Sequence, residues 1–192
     1  LKKNKSRKIV YDIKCSNQLG EVIKENNGIP IMTKTGHSYI KSEISKSNAI
    51  LGGEMSGHIF YNDNWYGFDD GIFAALKLLE ILSSKESTTH EVFNKFTQLF
   101  NTPEIKIAVE DDEKFEIVEQ LKVKLKPEGY NSILIDGLRL ENKDCWGLVR
   151  ASNTTPSLIL RFEANTEQKL MEIQELFQKT LLEISTNLKF LN

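Results

Sequence analysis

Cysteine and proline are scarce in this 192-residue chain, at two and four residues. Cys15 and Cys145 lie far apart with no C-x-x-C spacing, which excludes a disulfide-stapled framework and a cysteine-based zinc module. Two reduced thiols in a cytoplasmic protein are the expected state. With eleven glycines and four prolines there is no long linker or low-complexity tract. No apolar run reaches the ~18 residues of a membrane span, and none follows the charged N-terminus, so neither a membrane partner nor a signal peptide is expected. An excess of one charge is missing too. Lys and Arg number 25 against 27 Asp and Glu, a net charge of −2, which argues against nucleic acid as a partner. The opening run Leu1–Lys8 is basic, but it is short, lacks aromatics, and reads as a solvated helix end or connector. A chain that begins at Leu1 rather than Met is expected to be a piece of something longer.

What is present is core material: 40% hydrophobic residues, ten Phe and two Trp. In the first half, Ile9–Ile13, Pro30–Thr33 and Ala49–Gly52 read as strands. Gln18–Glu25 and His37–Lys46 read as the helices between them. A Gly-, Asn- and Asp-rich loop then leads to a helix over Gly71–Ser83, whose Ile72, Phe73, Leu76, Leu79 and Leu82 recur at helical spacing. Thr88 and Glu91 form a capping-box pattern that predicts a helix to Phe100, with Val92, Phe93, Phe96 and Leu99 on one side. This βαβαβ order predicts an α/β domain with a parallel-type sheet.

Asn101-Thr102-Pro103 marks the expected boundary, giving domains 1–101 and 102–192. The second half reads as a strand at Ile105–Val109 and a helix over Asp112–Lys126 carrying Phe115, Val118 and Leu121. Three β runs follow at Ser132–Leu140, Trp146–Ala151 and Ser157–Glu163. The last helix, Thr166 to about Ile184, has Asn165 as its expected cap and Leu170, Ile173, Phe177, Leu181 and Ile184 as its stripe. The βαβββα order predicts an α+β domain with helices on an antiparallel sheet.

Ligands of open parallel sheets sit at the carboxyl ends of the strands. That rule selects the loops holding Lys14, His37 and Gly53–His58. In the third loop Glu54, Ser56 and His58 alternate with Gly53, Met55 and Gly57, so a carboxylate, a hydroxyl and an imidazole can point one way. Such a set suits vicinal sugar hydroxyls, although a Gly-rich turn with incidental polarity is the plainer reading. The pair Asp69-Asp70 invites a metal or acid–base role; capping the next helix is favoured. In the second half, Arg150-Ala151-Ser152-Asn153-Thr154-Thr155-Pro156 combines a guanidinium fork with side-chain donors and backbone N–H groups. That composition fits a phosphate, with a polar turn as the alternative.

These loops, with Trp65–Gly71 and Leu160–Ala164, occur in the same order in the α-D-phosphohexomutases, and the chain resembles that family along nearly its whole length. G-E-M-S-G resembles the phosphomannomutase/phosphoglucomutase group in particular. The resemblance implies a C-terminal half comprising domains 3 and 4, the fourth similar to the TATA-binding-protein type. Domains 1 and 2 would be its partners and supply the phosphoserine and the Mg2+ ligands, with none of the metal ligands in this chain. It further implies a hexose 1-phosphate/6-phosphate substrate and a hexose 1,6-bisphosphate intermediate. Glu54 and Ser56 would hold sugar hydroxyls and His58 would transfer a proton. Lys14 and His37 would line the cleft, with Met55 and Gly57 shaping the sugar loop. Arg150, Ala151, Ser152, Asn153 and Thr154 would hold the phosphate that is not transferred. By itself this half would be inactive. A non-catalytic sugar-phosphate-binding module remains the alternative.

Overall fold

The computed structural model describes residues 7–190, so most of the basic N-terminal run lies outside the described residues. The chain divides into two compact units, 1–98 and 99–192.

The first unit runs β1 (Lys8–Asp12), α1 (Asn17–Glu25), β2 (Ile29–Thr33), α2 (His37–Ser47), β3 (Leu51–Gly53), β4 (Ile59–Tyr61), α3 (Gly71–Ser83) and α4 (Thr89–Phe93). β1 pairs in parallel with both β2 and β3, giving the order β2-β1-β3-β4. Because alternate side chains face opposite ways, Val10 packs with Ile40, Ile44, Ala49 and Phe60, while Tyr11 packs with Cys15 and Ile23. A central parallel strand is thus covered on both faces. Gly52 is where α2 comes closest: a Cβ there would lie 2.6 Å from Ile44 Cδ1 and 2.8 Å from Ile40 Cγ2.

Two local expectations need correction here, and one helix that forms as expected has an unexpected exposure. β4 lies inside the stretch read as loop and runs antiparallel to β3, so the sheet is mixed. Its three residues are too few to show periodicity. α4 keeps its capping box but stops at Phe93 instead of reaching Phe100. Phe93 and Phe96 are 47% and 49% exposed, so no buried face sustains a longer helix. Finally, α3 forms where its spacing predicts, yet none of its residues is buried.

The second unit runs β5 (Phe100–Asn101), β6 (Ile105–Ala108), α5 (Glu113–Lys124), β7 (Asn131–Ile133), β8 (Leu138–Glu141), β9 (Cys145–Ala151), β10 (Ser157–Ala164) and α6 (Glu167–Ile184). Every strand pairing is antiparallel, in the order β5-β10-β9-β8-β7 with β6 also on β10. One core unites Leu158, Leu160 and Phe162 of β10 with Val118 and Leu121 of α5 and Ile173, Phe177 and Leu181 of α6. The alternate residues carry a buried polar–aromatic stack. The Arg139 guanidinium lies 3.8 Å from the Trp146 ring centroid, and Trp146 Nε1 donates to Glu163 Oε1 at 2.7 Å. Burying an indole together with two charged side chains is tolerable only when they are paired in this way.

The run predicted as one strand over Ser132–Leu140 is a hairpin, β7 and β8, turning through Asp136 and Gly137. Gly137 has φ +88°, and a Cβ on it would lie 2.2 Å from the Val149 carbonyl oxygen. In α5, Phe115 faces solvent at 55% exposure and Ile117 takes its place in the core. α6 is capped by Thr166, which accepts from Lys169 N–H; Asn165 instead donates to the Lys143 carbonyl.

Candidate functional site

At the carboxyl end of β1 sits Asp12, fully buried. Its carboxylate accepts from Cys15 Sγ at 3.1 Å, Thr35 Oγ1 at 3.3 Å and the Met55 N–H at 3.3 Å. One charge thereby ties together the loops that follow β1, β2 and β3. A buried carboxylate costs several kcal/mol unless hydrogen-bonded, so this pairing is what permits it there. Sequence reasoning passed over Asp12; the only signal was an acidic residue closing an apolar strand.

Glu54, almost entirely buried, makes a second tie. Its Oε1 accepts the Gly36 N–H at 2.7 Å, at the start of α2. Its Oε2 lies 3.9 Å from His37 Nε2, and His37 is the first residue of that helix. His58 stands beside them, its ring centroid 4.5 Å from that of His37 in an edge-on contact. His37, Glu54 and His58 each offer a ligand atom, and these atoms lie within 4.8 Å of one another. The two imidazoles are half-exposed, at 49% and 44%.

The convergence does not arise from strand alternation. Glu54–His58 is a closed turn in which Glu54 N–H donates to the His58 carbonyl and Gly57 N–H to that of Glu54. Ser56 and Gly57, at φ +93°, form its exposed tip. Met55 packs its side chain toward Tyr11, Cys15 and Ile23. Lys14 is 8% exposed, on the loop held by Asp12.

The acidic pair divides its work. Asp70 caps α3, accepting from Phe73 N–H at 2.9 Å and from Trp65 Nε1 at 3.3 Å. Asp69 turns the other way, with Oδ2 2.7 Å from His58 Nδ1 and 3.7 Å from His37 Nε2. A carboxylate on Nδ1 favours the tautomer that leaves Nε2 with its lone pair outward. Asp69 thus takes a place in the site, where capping was the favoured reading of the pair, and Asp70 alone is the cap.

In the second unit, Arg150 and Ser152 are buried while Asn153, Thr154 and Thr155 are exposed. Arg150 Nε donates to Asp136 Oδ2 at 2.8 Å. The Ser152 hydroxyl oxygen accepts from the N–H groups of Thr154 and Thr155, at 3.3 and 3.2 Å, and from Thr155 Oγ1 at 2.8 Å. Those two N–H groups serve the turn, which revises the expectation that the backbone would aim them at an anion. Ala151 is the last residue of β9, paired with Leu158. Lys114, 4% exposed, reaches the loop from α5 and donates to the Thr155 carbonyl at 3.3 Å and to Asp111 at 2.6 Å. Neither Asp136 nor Lys114 had a sequence signal, since each meets the loop from a distant element.

Residues 1–100 match the family model described as phosphoglucomutase/phosphomannomutase, alpha/beta/alpha domain III, and residues 104–179 match that of the C-terminal domain. The chain is 47% identical over 188 residues to a phosphomannomutase/phosphoglucomutase of Pseudomonas syringae, covering 98% of this chain and 40% of that protein. A phosphoglucomutase of Neisseria meningitidis is 46% identical over 190 residues, covering 98% and 41%. Among solved structures, a phosphoglucomutase/phosphomannomutase family protein from Burkholderia thailandensis superposes with a TM-score of 0.88 at 39% identity. It covers 96% of this chain and 40% of that one. The chain thus spans about two fifths of the length of the relatives it matches.

Proposed function

The chain belongs to the phosphoglucomutase/phosphomannomutase family, and we propose that it is the C-terminal half of an enzyme interconverting hexose 1-phosphate and hexose 6-phosphate. Mannose and glucose phosphates are the proposed substrates, and a phosphoserine outside this chain is the proposed phosphoryl carrier. Residues 1–101 act as the sugar-binding domain and 102–192 as the phosphate-binding domain. The observation that supports the reading best is the His37–Glu54–His58 cluster, braced by Asp12 and Asp69 at the carboxyl end of β1.

In this reading Glu54 and Ser56 hydrogen-bond the ring hydroxyls, a carboxylate accepting and a hydroxyl doing either. His58, oriented by Asp69, takes and returns the proton of the reacting hydroxyl. His37 and Lys14 supply donors and positive charge to substrate oxygens. The Met55 and Gly57 backbone shapes the tip that approaches the ring. Arg150 holds the non-transferred phosphate, with Ser152, Asn153 and Thr154 beside it and Ala151 setting the loop's origin. Fixing one end of the substrate while the other reacts is a positioning effect worth up to ~7–11 kcal/mol in ideal cases. The intermediate is a hexose 1,6-bisphosphate, whose charge the family's Mg2+ would offset. Among the described residues, His37, Glu54 and His58 can offer a cation three ligands, but two imidazoles do not suit Mg2+, which takes oxygen donors. Its ligands are therefore assigned outside this chain.

A coupled mutase assay on the full-length protein with mannose 1-phosphate and glucose 1-phosphate tests this directly. Turnover is expected there and none from the 192-residue chain alone. Arg150→Ala should raise KM, and His58→Ala should lower kcat more than it raises KM. Full-length protein without mutase activity, but with retained hexose-phosphate binding, would instead point to a non-catalytic sugar-phosphate-binding module. No helix among the described residues is long and apolar enough to cross a membrane, and a cytoplasmic location is proposed with the function.

A further inference from the structure

We propose that His37, Glu54 and His58 form a binding site for a divalent transition-metal ion of the zinc type, at the carboxyl end of the first unit's sheet. Two imidazoles and a carboxylate are the donor set that zinc favours, and N-donor affinity rises along the first-row series in a way that leaves Mg2+ far behind. Zinc–ligand bonds of ~2.0–2.2 Å in a tetrahedron place neighbouring ligand atoms ~3.3–3.5 Å apart. His37 Nε2 and Glu54 Oε2 are already at 3.9 Å, and all three residues bring ligand atoms within 4.8 Å of one another. Contraction by about half an ångström to an ångström and a half closes the site.

The parts that must stay still are held, and those that must move can. Glu54 is 3% exposed and pinned through Oε1 by Gly36 N–H, which leaves Oε2 as its ligand oxygen. The two half-exposed rings are able to turn toward it. Asp69, 2.7 Å from His58 Nδ1, is the carboxylate partner that metal-bound histidines usually have; it fixes the tautomer and the orientation of the ring. Its charge also balances the site, because imidazoles bind a metal through their lone pairs and the two carboxylates then offset one divalent cation. The exposed side of the rings leaves room for water as the remaining ligand. On the sugar reading above, the ion would occupy groups assigned to the hexose and so act as an inhibitor. The metal proposal does not depend on that reading, since it concerns binding to this chain alone.

The test is calorimetric titration of ZnCl2 into the 192-residue chain with MgCl2 in large excess. One zinc per chain is expected, with affinity falling tenfold or more in both His37→Asn and His58→Asn. His90→Asn, at a histidine bonded to Asn94 on α4, should bind as the parent does. Unchanged circular dichroism verifies folding of the variants. In the unsubstituted chain, zinc should shift the imidazole nitrogen resonances of His37 and His58 but not those of His90, a readout that requires no variant. Affinity retained in either variant, a matching loss in His90→Asn, resonance shifts confined to His90, or no zinc binding would each overturn the proposal.

Discussion

Asp136 grips Arg150 from the side: the guanidinium Nε donates to the carboxylate at 2.8 Å, with the two side chains only 7% and 14% exposed. A fork held at Nε has its plane set before any anion arrives, which lowers the ordering cost of binding. Removing the carboxylate leaves a buried guanidinium without its partner. Asp136→Ala is therefore expected to destabilise the protein by on the order of 3 kcal/mol in urea unfolding. It should also weaken hexose-phosphate binding by the full-length protein. Asp136→Asn, which keeps an acceptor, should lose less of both. An unfolding midpoint for Asp136→Ala equal to that of the parent would refute the role.

The same hairpin depends on Gly137. Its φ of +88°, and the 2.2 Å that would separate an added Cβ from the Val149 oxygen, leave no room for a side chain. Gly137→Ala has to move backbone rather than a flexible side-chain tip. A loss of about 3 kcal/mol or more is expected, combining left-handed strain with the clash. The Tm of the variant measures it, and a shift of under a degree would show that the turn yields freely.

Asp12 should behave as a clasp and not merely as a core residue. Asp12→Ala strands the Met55 N–H, whose 3.3 Å bond joins loops 43 residues apart. A buried donor left unpaired costs ~1–3 kcal/mol. Faster hydrogen exchange at Met55 and Gly36, with little change at Leu148 or Leu160 of the second unit, is the expected pattern. Uniform acceleration across the chain would mean general destabilisation instead.

Tyr130 supplies a dependence on pH. Burial, reinforced by the Cys145 thiol 3.5 Å away, pushes its phenol from 10.0 up to about 12. Between those values the unfolded chain has lost a proton that the folded chain retains. The contribution is present in full below pH 10 and is lost as pH rises toward 12. Tyr130→Phe should therefore show a shallower fall in stability over that interval, measured as urea midpoint against pH. Parallel curves would rule the contribution out.

Much of this architecture was legible in the chain. Thr88 and Glu91 announced a capping box, and Ile173, Phe177 and Leu181 announced the buried side of α6, because caps and helical periodicity are local properties. His37, Glu54 and His58 were candidates from their loops alone, since the carboxyl ends of parallel strands must share one edge. Elements that rely on distant partners were not legible. β4 exists because β3 offers it an edge, and the chain at Phe100–Asn101 joins β10 instead of extending α4.

What the sequence determined by itself is the order of strands and helices, the caps, the apolar stripes and the loops in which polar side chains collect. Tertiary structure alone decided which carboxylate meets which cation or N–H: Asp12 with Met55, Asp69 with His58, Asp136 with Arg150. The physical reason is range. Helix and strand patterns follow from contacts a few residues apart, whereas a buried charge is satisfied by whichever partner the fold brings within about 3 Å, and that partner leaves no periodic trace in the chain.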